Sequence, residues 1–131
     1  TSIIYRNKIY IANAGDSRII VGRQNKDLLW EPYQLSNDHK PDLQEENERI
    51  VQCKGRVFPF QTAEGKQLGP HRVWHPTLDL PGLAMSRSIG DCLAHQFGVT
   101  SEPEVTEYEM TPQDKFIILA SDGVWEFLSN Q

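Results

Sequence analysis

The sequence predicts a mixed α/β (α+β) fold in which antiparallel strands outnumber helices. Three short runs of strand-forming residues, separated by brief turns, open the chain. A segment near the middle has the periodicity of an amphipathic helix, and the apolar run at residues 116–120 is typical of a buried strand. With 131 residues, 38% of them hydrophobic, the chain is long enough to form one compact domain with a core.

The N-terminal half is predicted to be an antiparallel meander. Its strands cover residues 2–5, 8–13 and 17–22. Arg6-Asn7 forms a tight turn between the first two strands, and Ala14-Gly15-Asp16 forms the second turn. Turns this short join strands that lie side by side.

Residues 41–54 are predicted to form a helix that begins at Pro41 and stops at Gly55. Glu45 and Arg49 have the spacing of an i,i+4 ion pair. The acidic side of this helix is a solvated face or a partner surface. The apolar face comprises Leu43, Ile50 and Val51.

The four prolines at positions 59, 70, 76 and 81 predict an irregular excursion, with short strands at residues 56–60 and 71–74. His71 and His75 have a spacing seen in zinc sites, but no cysteine pair accompanies them, so we expect no zinc there. Further strands are predicted at residues 104–108 and 115–120.

Composition excludes several classes of function. The net charge of −5 argues against a general nucleic-acid or anionic-membrane surface. No apolar run is long enough for a membrane span. The two cysteines, Cys53 and Cys92, form no Cys-x-x-Cys pair and fit a reducing, intracellular location in the cytoplasm or nucleus.

Three aspartates stand beside glycine at the end of a predicted strand or apolar run: Asp16, Asp91 and Asp122. A fourth, Asp38, lies in a turn. Any one of them could be an ordinary turn residue. Three in the same setting predict carboxylates that meet at one edge of a sandwich and hold a cation. Oxygen ligands without His or Cys select Mg²⁺, Mn²⁺ or Ca²⁺.

Six motifs occur in an order that resembles the metal-dependent protein serine/threonine phosphatases of the 2C type. They are "NAGDSR", "DHKP" before a helix ending in "ERI", a Gly-x-Val after that helix, "LAMSRSIGD", "SEPEV" and "FIILASDGVWE". The resemblance covers nearly the whole chain.

The resemblance implies a four-layer α/β/β/α sandwich of antiparallel sheets, present here as an incomplete segment. Residues 1–131 would be part of a catalytic domain, with a flap-like region at about residues 42–80. Two Mn²⁺ or Mg²⁺ ions would support hydrolysis of phosphoserine and phosphothreonine in protein substrates. Asp91 and Asp122 match the family's metal ligands, and Asp16 matches a carboxylate for a weaker third ion. No side chain is expected to act as a nucleophile.

Two motifs of the family are absent from the chain: an acidic-Arg segment that grips phosphate and an Asp-Gly-His-Gly-Gly stretch whose Asp bridges both metals. A late Asp-Asn pair is also absent, and Lys54 stands where the family often has glycine. We therefore expect residues 1–131 alone to be inactive. The full domain is expected to be monomeric. Two alternatives stay open, a noncatalytic phosphatase-like module that binds or regulates proteins and an unrelated domain that binds a hard metal.

Overall fold

A computed structural model describes all 131 residues as nine strands and three helices. The chain forms two compact units, residues 1–38 with 103–131 and residues 39–102. None of the helices is both long and apolar enough to cross a bilayer. The elements are β1 (Ser2–Tyr5), β2 (Lys8–Asn13), β3 (Arg18–Gln24), β4 (Trp30–Gln34), α1 (Gln44–Gln52), β5 (Arg56–Gln61), β6 (Gln67–Trp74), β7 (Pro81–Leu83), α2 (Cys92–His95), β8 (Glu104–Glu109), β9 (Asp114–Ala120) and α3 (Asp122–Trp125).

The first unit contains two antiparallel sheets with strand orders β1-β2-β8 and β4-β3-β9. Alternate residues of β2 and β3 turn inward, because successive side chains of a strand point to opposite faces. They meet in one apolar cluster, so the sheets pack face to face and confirm the predicted antiparallel α/β fold. The buried members of that cluster are Ile9, Ile11, Ile19, Val21 and Leu35.

The β1–β2 hairpin is confirmed, and Arg6 takes the left-handed conformation that glycine usually provides, with φ of 55°. The predicted meander is wrong beyond that hairpin, because β3 leaves for the other sheet, between β4 and β9. Strand β4 was not predicted, since Glu31, Pro32 and Gln34 obscure its pattern. It is an edge strand, where proline costs no ladder hydrogen bond.

In the second unit, α1 is shorter than predicted. Pro41 precedes the helix, and Leu43 is its N-cap. Lys54, with φ of 68°, takes the left-handed position after the helix, and Gly55 follows it. Of the predicted apolar face, only Ile50 is buried, whereas Leu43 and Val51 are exposed.

Residues 56–83 contain an antiparallel sheet, β5-β6-β7, with a register shift in each strand pair. The strands predicted at residues 56–60 and 71–74 are present within β5 and β6, but the segment is more ordered than the predicted irregular excursion. Pro59 lies on edge strand β5, beside a register shift. Trp74 stacks on Phe58 with ring centroids 5.2 Å apart and donates its indole N–H to the Phe58 carbonyl at 2.8 Å. The core of this unit comprises Ile50, Val73, Ala94, Phe97 and Val99.

Candidate functional site

Asp122 begins α3, two residues after the end of β9. Its side chain is exposed and makes no hydrogen bond or ion pair. The turn that presents it is held by Trp125, whose indole N–H donates to the Ala120 carbonyl at 2.8 Å. A solvent-exposed carboxylate, that of Asp122, therefore lies directly after the end of the apolar strand β9.

Asp16 lies in the turn between β2 and β3 and is 7% exposed. Arg18 pairs with Ala120 across β3 and β9, so the antiparallel register brings Asp16 and Asp122 to the same end of this strand pair. The Asn13 side-chain amide steadies the turn by donating to the Gly15 carbonyl at 3.2 Å. The first unit thus places two of the three predicted site residues at one end.

Arg18 joins three of the sequence motifs at that end. Its guanidinium donates to both carboxylate oxygens of Asp38, at 2.9 and 2.7 Å, and to Asn130 Oδ1 at 2.6 Å. It also lies over the Trp125 ring, 5.2 Å from the centroid. The hydrogen bond to Asp38 raises the pKa of Arg18 above its usual value. Asp38 is therefore the partner of an arginine, which sets it apart from the exposed Asp122.

Asp91 belongs to the second unit, where it is the N-cap residue of α2. It follows Gly90 in the left-handed region, with φ values of 102° for Gly90 and 45° for Asp91. The side chain is exposed and has no hydrogen bond or ion pair. Like Asp122, Asp91 is a solvated carboxylate at the start of a very short helix.

The largest group that sequence reasoning missed surrounds Glu46 of α1, whose side chain is 4% exposed. The predicted partner of Arg49 was Glu45, yet Arg49 binds Glu46 at 2.8 and 2.7 Å. Burial disfavours the charged form, but hydrogen bonds from Arg49, Arg87 and Ser86 outweigh it and hold the pKa of Glu46 far below its usual range. No local signal could reveal this group, since Ser86 and Arg87 lie about 40 positions away.

The donor chemistry of Asp91 and Asp122 fits a hard cation, because both offer carboxylate oxygens with no competing protein partner. No group of three or more His, Cys, Asp or Glu side chains is close enough to hold a metal. Asp91 and Asp122 can therefore each supply part of the ligand set of such an ion, but not a complete set. His71, which has a zinc-like spacing from His75 in the sequence, lies beside Asp42, with 3.7 Å between Nδ1 of His71 and Oδ2 of Asp42.

Comparison with known proteins gives consistent matches. The chain is 47% identical over 123 residues to "Probable protein phosphatase 2C 73" of Arabidopsis thaliana, covering 94% of this chain and 32% of that protein. It is 44% identical over 127 residues to "Probable protein phosphatase 2C 48" of Oryza sativa subsp. japonica, covering 94% and 35%. The chain thus spans about a third of the length of these relatives.

A solved serine-threonine phosphatase 2C from Toxoplasma gondii matches with a TM-score of 0.83 and 25% identity, covering 98% of this chain and 42% of that one. A C. elegans sex determining protein shares the fold with a TM-score of 0.73 and 24% identity, covering 94% and 26%. The family model for Protein phosphatase 2C matches residues 1–131. From end to end, this chain belongs to the protein phosphatase 2C family.

Proposed function

We propose that the protein is a metal-dependent phosphatase that hydrolyses phosphoserine and phosphothreonine in protein substrates, and that residues 1–131 are part of its catalytic domain. Membership of the family supports the reaction class. The observation that carries the site is the pair of solvated carboxylates, Asp91 and Asp122, each at the start of a short helix and without a protein partner.

In this proposal, Asp91 and Asp122 hold Mn²⁺ or Mg²⁺, and Asp16 serves a weaker third ion. When bound, two such ions generate a nucleophilic hydroxide near neutral pH and neutralise phosphoryl charge. The chain contributes the carboxylates and keeps them in place, so a nucleophilic side chain is not required. The flap-like region in this proposal covers about residues 42–80 and offers substrates the β5–β6 hairpin end, which is exposed.

The test uses the whole natural protein, with Mn²⁺ binding followed by calorimetry and turnover measured on a phosphothreonine peptide. Asp91→Asn and Asp122→Asn should each weaken Mn²⁺ binding at least tenfold, because one carboxylate of the ligand set is lost. Turnover should fall by a larger factor, since the reaction needs both ions. Asp16→Ala should lower turnover while the tight sites stay occupied.

Asp27→Asn is the matched control, because Asp27 is exposed in the turn before β4 and its carboxylate makes no hydrogen bond or ion pair. Wild-type Mn²⁺ affinity in both Asp91→Asn and Asp122→Asn would refute the metal assignment. Metal binding with no turnover on phosphoserine or phosphothreonine peptides would instead favour the noncatalytic module.

A further inference from the structure

Glu46 receives hydrogen bonds from three residues of the second unit. Arg49 binds both carboxylate oxygens, and Arg87 reaches Oε1 through Nη2 at 2.7 Å and through Nε at 3.1 Å. The Ser86 hydroxyl donates to Oε2. Replacing a buried ion cluster with apolar side chains of similar volume is often neutral or stabilising. Net stability is therefore a weak explanation for this cluster, whose members include a partly exposed Arg49, and its contacts point to a role in local geometry.

Two of these donors, Ser86 and Arg87, open a segment without helix or extended strand that runs from Ser86 to Asp91. Ser86 is fully buried, whereas Ile89 is 87% exposed. Gly90 and Asp91 are exposed as well. After Arg87, Ser88 is 5% exposed and its carbonyl accepts a hydrogen bond from His95 Nε2 at 3.0 Å. The next buried side chain is that of Ala94, in the core of the unit. On the N-terminal side of Asp91, the chain is therefore held by the cluster at Ser86 and Arg87 and by Ser88, which follows it directly.

The same cluster also fixes the backbone of the segment. Arg49 donates to the Ser86 carbonyl at 2.9 Å and to the Gly98 carbonyl at 2.8 Å. The Ser88 amide donates to the Thr100 carbonyl at 3.0 Å. Helix α1, which is anchored by Ile50, therefore holds both the segment and the neighbouring loop against which it pairs.

We propose that Glu46 is a positioning residue for Asp91: by gathering Arg49, Ser86 and Arg87 into one buried cluster, it sets the path of residues 86–91 and thereby the place of the Asp91 carboxylate. The metal role of Asp91 rests on the proposed function above. The placement of residues 86–91 by Glu46 rests only on the hydrogen bonds of Arg49, Ser86 and Arg87. The metal role of Asp91 and the positioning role of Glu46 can therefore fail separately.

The test uses Glu46→Gln in the whole natural protein, which keeps the side-chain shape and removes the charge. In the metal-free protein, amide hydrogen exchange at Ser86 and Ser88 should accelerate at least tenfold. Mn²⁺ affinity should fall about tenfold, at the lower end of the effect of lost outer-shell support, because Glu46 acts through other residues. Glu45→Gln is the matched control, since Glu45 is its exposed neighbour and lacks side-chain partners.

Ser86→Ala is the milder second variant if Glu46→Gln does not fold, because it removes one hydrogen bond and leaves both arginines on Glu46. A folded variant with a lowered unfolding temperature but wild-type exchange and Mn²⁺ affinity would overturn the proposal. So would faster exchange with unchanged Mn²⁺ affinity, provided that Asp91→Asn weakens binding. If Asp91→Asn binds Mn²⁺ normally, the metal assignment fails, and the exchange result alone decides whether Glu46 holds the segment.

Discussion

Asp38→Asn tests whether Asp38 serves Arg18 rather than a metal ion. The carboxylate receives two hydrogen bonds from the Arg18 guanidinium, at 2.9 and 2.7 Å, and the exposed fractions of the two side chains are 18% and 15%. Asparagine has almost the same shape. It can accept the bond from Nε, but its amide group presents donors to Nη2. The change therefore removes the charge and one hydrogen bond while leaving the packing in place.

The expected loss of unfolding free energy is about 2 kcal/mol. Breaking a fully buried ion pair costs about 3–5 kcal/mol, and a solvated surface pair contributes about 0–1 kcal/mol. The Arg18–Asp38 pair lies between these cases, since it is mostly but not wholly shielded. Arg18 also retains Asn130 and the Trp125 ring, which moderates the cost of its lost partner.

Urea unfolding of the whole natural protein measures this loss, with Asp27→Asn as the exposed control expected to change stability by less than about 0.5 kcal/mol. A double-mutant cycle with Arg18→Gln should give a coupling energy that accounts for most of the effect. A negligible coupling energy would show that the Arg18–Asp38 pair does not stabilise the turn that contains Asp38. Loss of Mn²⁺ binding in Asp38→Asn at unchanged stability would show that Asp38 is a ligand instead.

Two further predictions concern acid and the end of α1. Burial opposes ionisation of Glu46 and Asp114, but hydrogen bonds to their carboxylates outweigh it and hold both pKa values below the usual range. The stability that the two ionised groups contribute is therefore present above about pH 4.5. It is lost as the pH falls through the pKa values of the folded state. Thermal unfolding between pH 7 and pH 3 should show this decline, and Asp114→Asn should flatten it; an unchanged slope would contradict the assignment. Lys54→Gly should raise the unfolding free energy by about 1 kcal/mol, because φ of 68° strains a residue with a Cβ. Lys54→Ala keeps that strain and should give no such gain, so equal effects of the two substitutions would point away from the backbone.

Much of the strand pattern could be predicted because it depends on local alternation. β1 and β2 match their predicted bounds, and β9 differs by one residue at its start. The errors arose where a tertiary partner decided the outcome. β3 was placed beside β2, but it lies between β4 and β9, and β9 follows about 100 positions later. Edge strand β4 carries little apolar signal of its own.

The predictions for α1 failed for a related reason. Periodicity favoured an apolar face with Leu43 and Val51, and spacing favoured the pair Glu45–Arg49. The structure instead buries Glu46, because two arginines and a serine hydroxyl compensate its charge there. Two of these three donor residues are Ser86 and Arg87, about 40 positions from Glu46. The sequence around the helix therefore gives no reason to choose Glu46 over Glu45.

The sequence by itself determined the antiparallel α/β class, the family and the aspartates that stand at strand ends, since alternation, turn residues and ordered motifs are properties of short stretches. Only the tertiary structure decided that Asp38 is bound by Arg18, that Asp122 is left solvated and that Glu46 is buried among donors from Arg49, Ser86 and Arg87. The physical reason is that a carboxylate's role depends on its burial and on which donors reach it. Those donors are brought there by strand register and by packing between residues that are distant in the chain.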